Sequence, residues 1–182
     1  MGVSTGGTQA LRMIIPNLPS TFPLPIVIVQ HLHPHSDSYF IEDFRQHSNL
    51  IVEQAEEKIK ILPGHVYIAP SNYHLLVECE RTFSLSVDEP VNFARPSIDV
   101  LFETAAEVYK EKLIGIILTG ASKDGSAGVR KIKKNGGFVI VQDPDSAQIE
   151  TMPRAAMNAT DADLVIPLEE MVPALLRVSG ML

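Results

Sequence analysis

The chain has 182 residues, 45% of them hydrophobic and 20% charged, a composition that suits one compact domain with a substantial core. Its net charge of −7 argues against a nucleic-acid-binding protein, because such proteins usually present a basic face to phosphates. The single cysteine, Cys79, excludes an internal disulfide framework and a cysteine-rich zinc site. No run approaches the roughly 18 apolar residues that span a bilayer, and a signal peptide is missing, so we predict a soluble, cytoplasmic protein without membrane insertion.

The first informative segment is a glycine-rich turn around Ser4. The stretch Gly2-Val3-Ser4-Thr5-Gly6-Gly7 precedes a helix-like segment, Gln9 to Ile14, and Gly2-x-Ser4-x-Gly6 matches the nucleophile-elbow pattern. Such a turn projects a serine hydroxyl and lets backbone N–H groups approach an oxyanion. An ordinary capping turn and a phosphate-binding loop are alternatives, because glycine-rich turns before helices also place free N–H donors together.

A predicted buried strand, Ile26 to Gln30, is followed directly by His31. In parallel α/β sheets this carboxyl edge is where ligand crevices form, so His31 is a candidate base for Ser4. His33 and His35 follow at alternate positions, and a metal site formed by the three imidazoles is an alternative. We prefer to interpret His33 and His35 as exposed loop residues, because Pro34 interrupts the strand.

The middle of the chain, from about Ile51 to Val87, contains short strands separated by turn residues. His65 to Ile68, His74 to Val77 and Phe83 to Val87 follow one another with Pro-Gly and Pro-Ser-Asn turns between them, which predicts a local antiparallel hairpin insert. Cys79 lies in an alternating stretch there, and we expect it to be a small buried side chain rather than a catalytic thiol.

A third candidate catalytic residue, Asp124, follows the predicted strand Leu113 to Leu118 in another glycine-rich turn. If the strands are parallel, Asp124 reaches the same edge as Ser4 and His31, where it is expected to accept a hydrogen bond from His31 Nδ1. The alternative is an N-cap for a helix that begins near Gly125.

The remaining apolar patterns complete an alternation of strands and helices. Ser97 precedes a helical repeat at Ile98, Leu101, Phe102 and Ala105, and can cap its start; a second repeat runs from Leu168 to Leu176, and strands are predicted at Phe138 to Val141 and Leu164 to Ile166. These elements predict an α/β three-layer sandwich whose doubly wound, mostly parallel sheet carries the small antiparallel hairpin insert.

Motifs along nearly the whole chain resemble the catalytic domain of CheB-type chemotaxis protein-glutamate methylesterases. They are Gly2 to Thr8, Val29-Gln30-His31, Ala69 to Leu75, Arg95-Pro96-Ser97-Ile98-Asp99, Leu118 to Gly125, Gly136-Gly137, Gln142 and Met152-Pro153-Arg154-Ala155. The resemblance implies a Ser4, His31 and Asp124 triad that hydrolyses glutamate 5-methyl esters on methyl-accepting chemotaxis receptors and also deamidates receptor glutamines. It places Thr5 beside the nucleophile and Arg95 in a segment that lines or supports the cleft.

In this mechanism, backbone N–H groups around Thr5 and Ala121 stabilise the oxyanion, and no metal or organic cofactor is needed. Ala121 stands where the family commonly has methionine, and Thr151 where glycine is common. We expect residues 1–182 to form the catalytic domain without the receiver domain that is usual in the family. The rivals are a non-catalytic phosphate- or nucleotide-binding module and a degenerate esterase domain that binds receptors.

Overall fold

The computed structural model describes residues 1–31 and 37–181 as a parallel sheet covered on both faces by helices. The strands are β1 (Gly2–Val3), β2 (Ile26–Gln30), β3 (Ile51–Gln54), β4 (His65–Ile68), β5 (His74–Val77), β6 (Phe83–Ser86), β7 (Ile114–Ile117), β8 (Phe138–Gln142) and β9 (Leu164–Ile166). The helices are α1 (Gly7–Ile14), α2 (Asp37–His47), α3 (Ile98–Tyr109), α4 (Ser126–Lys134), α5 (Thr151–Ala159) and α6 (Met171–Val178). None of these described helices has the length and apolar character needed to cross a membrane.

The main sheet has seven strands in the order β3-β4-β2-β1-β7-β8-β9, and every pairing is parallel. The chain builds outward from β1 to one side through β2, and later to the other side through β7, β8 and β9. The order therefore reverses at β1, and such a switch point opens a crevice at the carboxyl edge of the sheet. The turns that follow β2, β1 and β7 meet at this crevice.

Alternation along the strands divides the core between the two faces of the sheet. Ile116 points into a cluster formed with α1, α2 and α6, whereas its neighbour Ile117 joins a cluster formed with α3, α4 and α5. Both residues are at most 3% exposed, as expected for a parallel strand covered on both sides. The predicted three-layer, doubly wound α/β architecture is confirmed.

The predicted hairpin insert is present but shorter than expected. Strands β5 and β6 pair antiparallel and pack beside α3, where the Val77 N–H donates to Thr104 Oγ1 at 3.1 Å. The prediction was wrong for His65–Ile68, which is β4 of the main sheet and lies between β3 and β2. Val66, Tyr67 and Ile68 are all buried, so this strand is covered on both faces, which a hairpin strand on the surface would not be.

The prediction for Cys79 was also wrong, because the side chain is exposed. The turn between β5 and β6 closes through the hydrogen bond from the Arg81 N–H to the Glu78 carbonyl, so Cys79 belongs to the turn and not to the alternating strand.

Candidate active site

Ser4 occupies the sharp turn between β1 and α1. The strand ends at Val3, the Ser4 N–H donates to the Thr119 carbonyl at 3.0 Å, and the Gly7 N–H donates back to the Ser4 carbonyl at 2.8 Å. Gly6, with a φ of 82°, is the residue that precedes α1, and this left-handed conformation suits glycine. The turn leaves Ser4 half-buried at the carboxyl edge of the central strand.

His31 lies beside Ser4 because β2 is hydrogen-bonded to β1. Val3 pairs with Gln30, and the N–H of His31 donates to the Val3 carbonyl at 3.1 Å. Ser4 and His31, the residues that directly follow β1 and β2, are therefore neighbours at the edge of the sheet. No hydrogen bond joins the Ser4 hydroxyl to the His31 ring within residues 1–31 and 37–181.

The His31 ring contacts Asp124 through Nε2, and not through the predicted Nδ1. We expected Nδ1 to face the carboxylate, but His31 Nε2 lies 2.9 Å from Asp124 Oδ2. Asp124 is deeply buried at 1% exposure, and Nε2, at the far end of the imidazole, is the nitrogen that extends to it. Nδ1 has no hydrogen-bond partner in the described part of the chain, so it is the nitrogen available to the Ser4 hydroxyl.

The Asp124 carboxylate also accepts hydrogen bonds from the start of α3. Its Oδ2 accepts from the Ile98 N–H at 2.7 Å, and its Oδ1 from the Asp99 N–H at 3.1 Å and the Ser97 hydroxyl at 2.8 Å. Burial alone would raise the pKa of Asp124, but the hydrogen bonds from the His31 ring and the start of α3 outweigh it and hold the pKa below its ordinary value. Asp124 is therefore an anion that accepts a hydrogen bond from His31 Nε2–H without taking the proton.

The helix that Asp124 caps is not the one that follows it in the sequence. The alternative of an N-cap for the next helix is wrong, because α4 begins at Ser126 after Gly125, and no side chain caps it. Ser97 stands at the N-cap position of α3 as predicted, yet its hydroxyl donates to Asp124 instead of capping the helix. The carboxylate provides the acceptor that the first N–H groups of α3 lack, and the helix dipole favours its charge.

A second buried carboxyl group, Asp99, lies next to the first. Asn92 Nδ2 donates to Asp99 Oδ2 at 2.8 Å and to Asp124 Oδ1 at 3.2 Å, so one amide bridges both groups. Asp99 Oδ1 accepts from the Gly128 N–H at 2.7 Å. Burial and, to a smaller extent, the charge of Asp124 raise the pKa of Asp99. Sequence reasoning missed both Asn92 and Asp99 as parts of the site.

The structure places the predicted oxyanion residues on two adjacent turns. Thr5 and Ala121 are exposed, and their backbone N–H groups donate to no other described residue. The two turns are joined by the Thr119 hydroxyl, which donates to the Thr5 carbonyl at 2.9 Å. Thr151 is exposed at the start of α5, and the next N–H, that of Met152, donates to the Gly120 carbonyl at 3.0 Å.

Arg95 supports a loop beside the site, and among the described residues its side chain forms no hydrogen bond with Ser4, His31 or Asp124. Its Nη1 donates to the Val87 carbonyl at 2.7 Å and to the Asp88 carbonyl at 3.0 Å. The guanidinium therefore holds the base of the segment that carries Asn92.

Comparison with known proteins gives the family. A model described as CheB methylesterase matches residues 1–175. The chain belongs to the CheB methylesterase family.

Individual relatives agree with this assignment. A Leptospira interrogans protein named putative protein-glutamate methylesterase/protein-glutamine glutaminase is 53% identical over 178 residues, which are 98% of this chain and 92% of that protein. A Thermotoga maritima protein-glutamate methylesterase/protein-glutamine glutaminase is 41% identical over 170 residues, which are 92% of this chain but 49% of that protein. The crystal structure of the Thermotoga maritima CheB methylesterase catalytic domain has a TM-score of 0.94 and 39% identity, covering 97% of this chain and 95% of that one.

Two buried glutamines hold the turns of this CheB-family site in place. Gln30 Nε2 donates to the Ser4 carbonyl at 2.9 Å and to the His31 carbonyl at 3.2 Å, and Gln142 Oε1 accepts from the Thr119 N–H at 2.9 Å. Each is the last residue of a buried strand. This position in the sequence could have identified both glutamines as residues that support the site. A polar side chain at the end of an apolar strand needs hydrogen-bond partners at the edge of the sheet.

One cavity lies away from the site. An apolar cavity of about 360 Å³ lies at the opposite, amino edge of the sheet, lined by residues such as Met1, Leu24 and Ile114, and it includes no predicted site residue. His33 and His35, proposed as an alternative metal site with His31, lie outside the described residues. Among residues 1–31 and 37–181, no group of three His, Cys, Asp or Glu side chains is suited to a metal ion.

Proposed function

We propose that this chain is a cytoplasmic serine hydrolase that removes the methyl group from glutamate 5-methyl esters of methyl-accepting chemotaxis receptors. Membership of the CheB methylesterase family and the names of its relatives support the reaction. The observation that carries the proposal is the pair of His31 Nε2 and Asp124 Oδ2, which lie 2.9 Å apart. The two residues follow β2 and β7, the neighbours of β1, and Ser4 follows β1 itself. Ser4, His31 and Asp124 are the proposed nucleophile, base and orienting acid.

The reaction begins when Ser4 Oγ attacks the ester carbonyl carbon and His31 Nδ1 takes the hydroxyl proton. Asp124 holds the Nε2–H, which fixes the tautomer and stabilises the imidazolium. Collapse of the tetrahedral intermediate breaks the bond to the methoxy oxygen, and methanol leaves with the proton from His31. A water molecule, deprotonated by the same nitrogen, then hydrolyses the glutamyl-Ser4 ester and restores the enzyme. The Ser4 hydroxyl and Nδ1 come into hydrogen-bond distance in the substrate complex, since such contacts often tighten only there.

The tetrahedral oxyanion requires hydrogen-bond donors that are fixed before the reaction. The N–H groups of Thr5 and Ala121 serve this role in the proposal, because the described residues leave both without an acceptor and Thr119 ties their turns together. Ala121 takes part through its backbone, so the alanine in place of a methionine leaves this donor intact.

The same site is proposed to deamidate receptor glutamines. A glutamine side chain presents the same carbonyl carbon, and its attack by Ser4 yields the same glutamyl ester with ammonia as the leaving group. The relatives from Leptospira interrogans and Thermotoga maritima carry both activities in their names.

Substitution of Ser4 by alanine tests the nucleophile. We expect Ser4→Ala to release no methanol from a methylated receptor signalling fragment, while the melting temperature stays close to that of the native protein because a half-buried turn hydroxyl adds little to the core. Ser20→Ala, at an exposed serine, is the matched control and should keep the native rate. Near-native methanol release by Ser4→Ala would reject the assignment.

Covalent labelling separates the active enzyme from its rivals. A fluorophosphonate should modify Ser4 in the native protein and not in Ser4→Ala, because the reagent requires an activated hydroxyl. A degenerate esterase domain would remain unlabelled. A phosphate-binding module would instead show heat of binding on titration with nucleotides or sugar phosphates.

A further inference from the structure

The turn at Asn92 and Phe93 contains an aromatic residue in a backbone conformation that favours glycine. Val91 and Ala94 exchange hydrogen bonds of 3.1 and 2.9 Å across the turn, and both central residues have positive φ, 51° for Asn92 and 64° for Phe93. Positive φ at both positions is typical of a type I′ turn, in which asparagine and glycine are preferred. Asn92 suits its position, but Phe93 adopts a left-handed conformation that disfavours bulky side chains.

The Phe93 side chain also lies entirely in solvent. Its relative exposure is 105%, so the ring packs against nothing in the described part of the chain. An apolar ring in water and a strained backbone are both unfavourable for the isolated protein, and no contact among residues 1–31 and 37–181 compensates for them. Unfavourable features of this kind concentrate at functional sites, and they are a reason to look for a partner.

The turn is hydrogen-bonded directly to Asp124, the proposed orienting carboxylate. Asn92 Nδ2 donates to Asp124 Oδ1, and Asp124 Oδ2 meets the His31 ring, so two hydrogen bonds separate the turn from the proposed base. Arg95 fixes the base of the same loop through the Val87 and Asp88 carbonyls. Phe93 therefore lies on a turn whose neighbouring residue is hydrogen-bonded to Asp124.

A protein substrate has to cover this surface in order to bring a glutamate side chain to Ser4. A specific protein complex buries about 800 Å² on each partner, which corresponds to a patch with a radius of roughly 16 Å around its centre. A patch of this size centred on the triad extends past Asp124 to the Asn92 turn. Aromatic side chains in such patches are among the residues that contribute most to binding.

We propose that Phe93 is an apolar anchor for the protein substrate, inserting among apolar side chains that flank the reacting glutamate. The inference rests on the proposed function and names a substrate-recognition residue for the same site. Phe93 contributes to holding the protein and not to the chemistry, so it discriminates between a glutamyl ester in a protein and the same ester in a small molecule.

The test compares two substrates and two variants. Phe93→Gly removes the ring and relieves the positive φ, and Phe93→Leu keeps an apolar side chain. Methanol release is measured with a methylated receptor signalling fragment and with N-acetylglutamate 5-methyl ester. For Phe93→Gly we expect kcat/KM on the fragment to fall about tenfold, chiefly through KM, with an unchanged rate on the small ester. Phe93→Leu should recover most of the loss.

Two controls make the result decisive. The melting temperature of Phe93→Gly should equal or exceed the native value, since glycine suits the turn. Ile51→Ala, at an exposed apolar residue on the far edge strand, should leave both rates unchanged. A Phe93→Gly rate within about twofold of native on the fragment, or an equal loss on both substrates, would overturn the anchor role while the proposed function stands. Failure of the native protein itself to release methanol from either substrate would overturn both.

Discussion

Asp124 combines two roles in one buried side chain, since it holds the His31 ring and accepts the first N–H groups of α3. A negative charge strengthens both interactions, at a position that is 1% exposed to solvent. The charge persists because donors surround the carboxylate, and the same donors lower its pKa. The residue that contacts the His31 ring thus also accepts hydrogen bonds from the start of α3.

Asp124→Asn is expected to reduce kcat for methanol release by about a thousandfold or more. An asparagine cannot stabilise the imidazolium, and its amide favours the wrong His31 tautomer. Asp161→Asn removes an exposed carboxylate and is the matched control, with an expected rate equal to native. A loss of less than about tenfold in Asp124→Asn would contradict the orienting role.

Sequence patterns were sufficient to select Ser4, His31 and Asp124 as candidates, because Ser4 lies in a glycine-rich turn and His31 and Asp124 each follow a predicted strand. They were insufficient for the interactions between these residues. The nitrogen that faces Asp124 depends on the ring direction and on how deep the carboxylate lies. Asn92 is 32 positions from Asp124 in the chain, and no spacing rule connects a turn asparagine with a distant aspartate. The catalytic assignment itself remains a prediction until activity is measured.

At the scale of elements, the turns after β1 and β7 are packed against each other without spare room. A Cβ atom on Gly120 would lie 2.8 Å from the Cβ of Ser4 and 2.1 Å from Met152 Sδ. A methyl group there has to push the turn at Ser4 away from the turn that carries Asp124. Glycine at this position is therefore required by close approach.

Gly120→Ala is expected to destabilise the protein by about 1–3 kcal/mol through overpacking and to lower kcat by about a hundredfold through displacement of Ser4. Gly115→Ala is the matched control, because its Cβ would lie 2.4 Å from Ile132 Cδ1 inside the core and away from the site. It should lose comparable stability and keep its kcat. Melting temperatures and single-turnover rates of both variants measure the difference, and an equal fall in kcat for the two would count against the displacement of Ser4.

The strand and helix pattern was predicted correctly where burial was visible in the sequence, as in Ile26–Gln30 and Phe138–Gln142. The prediction was wrong where it relied on turn residues. Pro63 and Gly64 suggested a hairpin before β4, yet they lead into a strand of the main sheet. The pairing partner of a short strand is set by contacts across the fold, and neighbouring turn residues do not encode it.

At the scale of the whole molecule, the lowered pKa of Asp124 makes the free energy of unfolding depend on pH. A carboxyl group whose pKa is lower in the folded state stabilises the fold above its unfolded pKa, and the contribution disappears as the pH falls through the folded value. We expect Asp124→Asn to melt below the native protein near pH 7. The difference in melting temperature between the two proteins should narrow once the pH falls below 3.8, the ordinary pKa of an aspartate side chain. Thermal melting of both proteins between pH 7 and pH 2.5 measures this; a gap that is constant across the series, or that widens in acid, would contradict it.

The exposed Cys79 is a site at which the protein could be labelled or immobilised. The hairpin begins at His74, whose Nδ1 accepts the Ser97 N–H beside the site, and the chain then runs roughly 15 Å along β5 before it reaches the thiol. Because the chain has one cysteine, a maleimide reagent would attach a surface or a dye at a single point. Molecules immobilised in this way would all be attached through the turn between β5 and β6, so the sheet edge that carries Ser4 would have the same orientation in each.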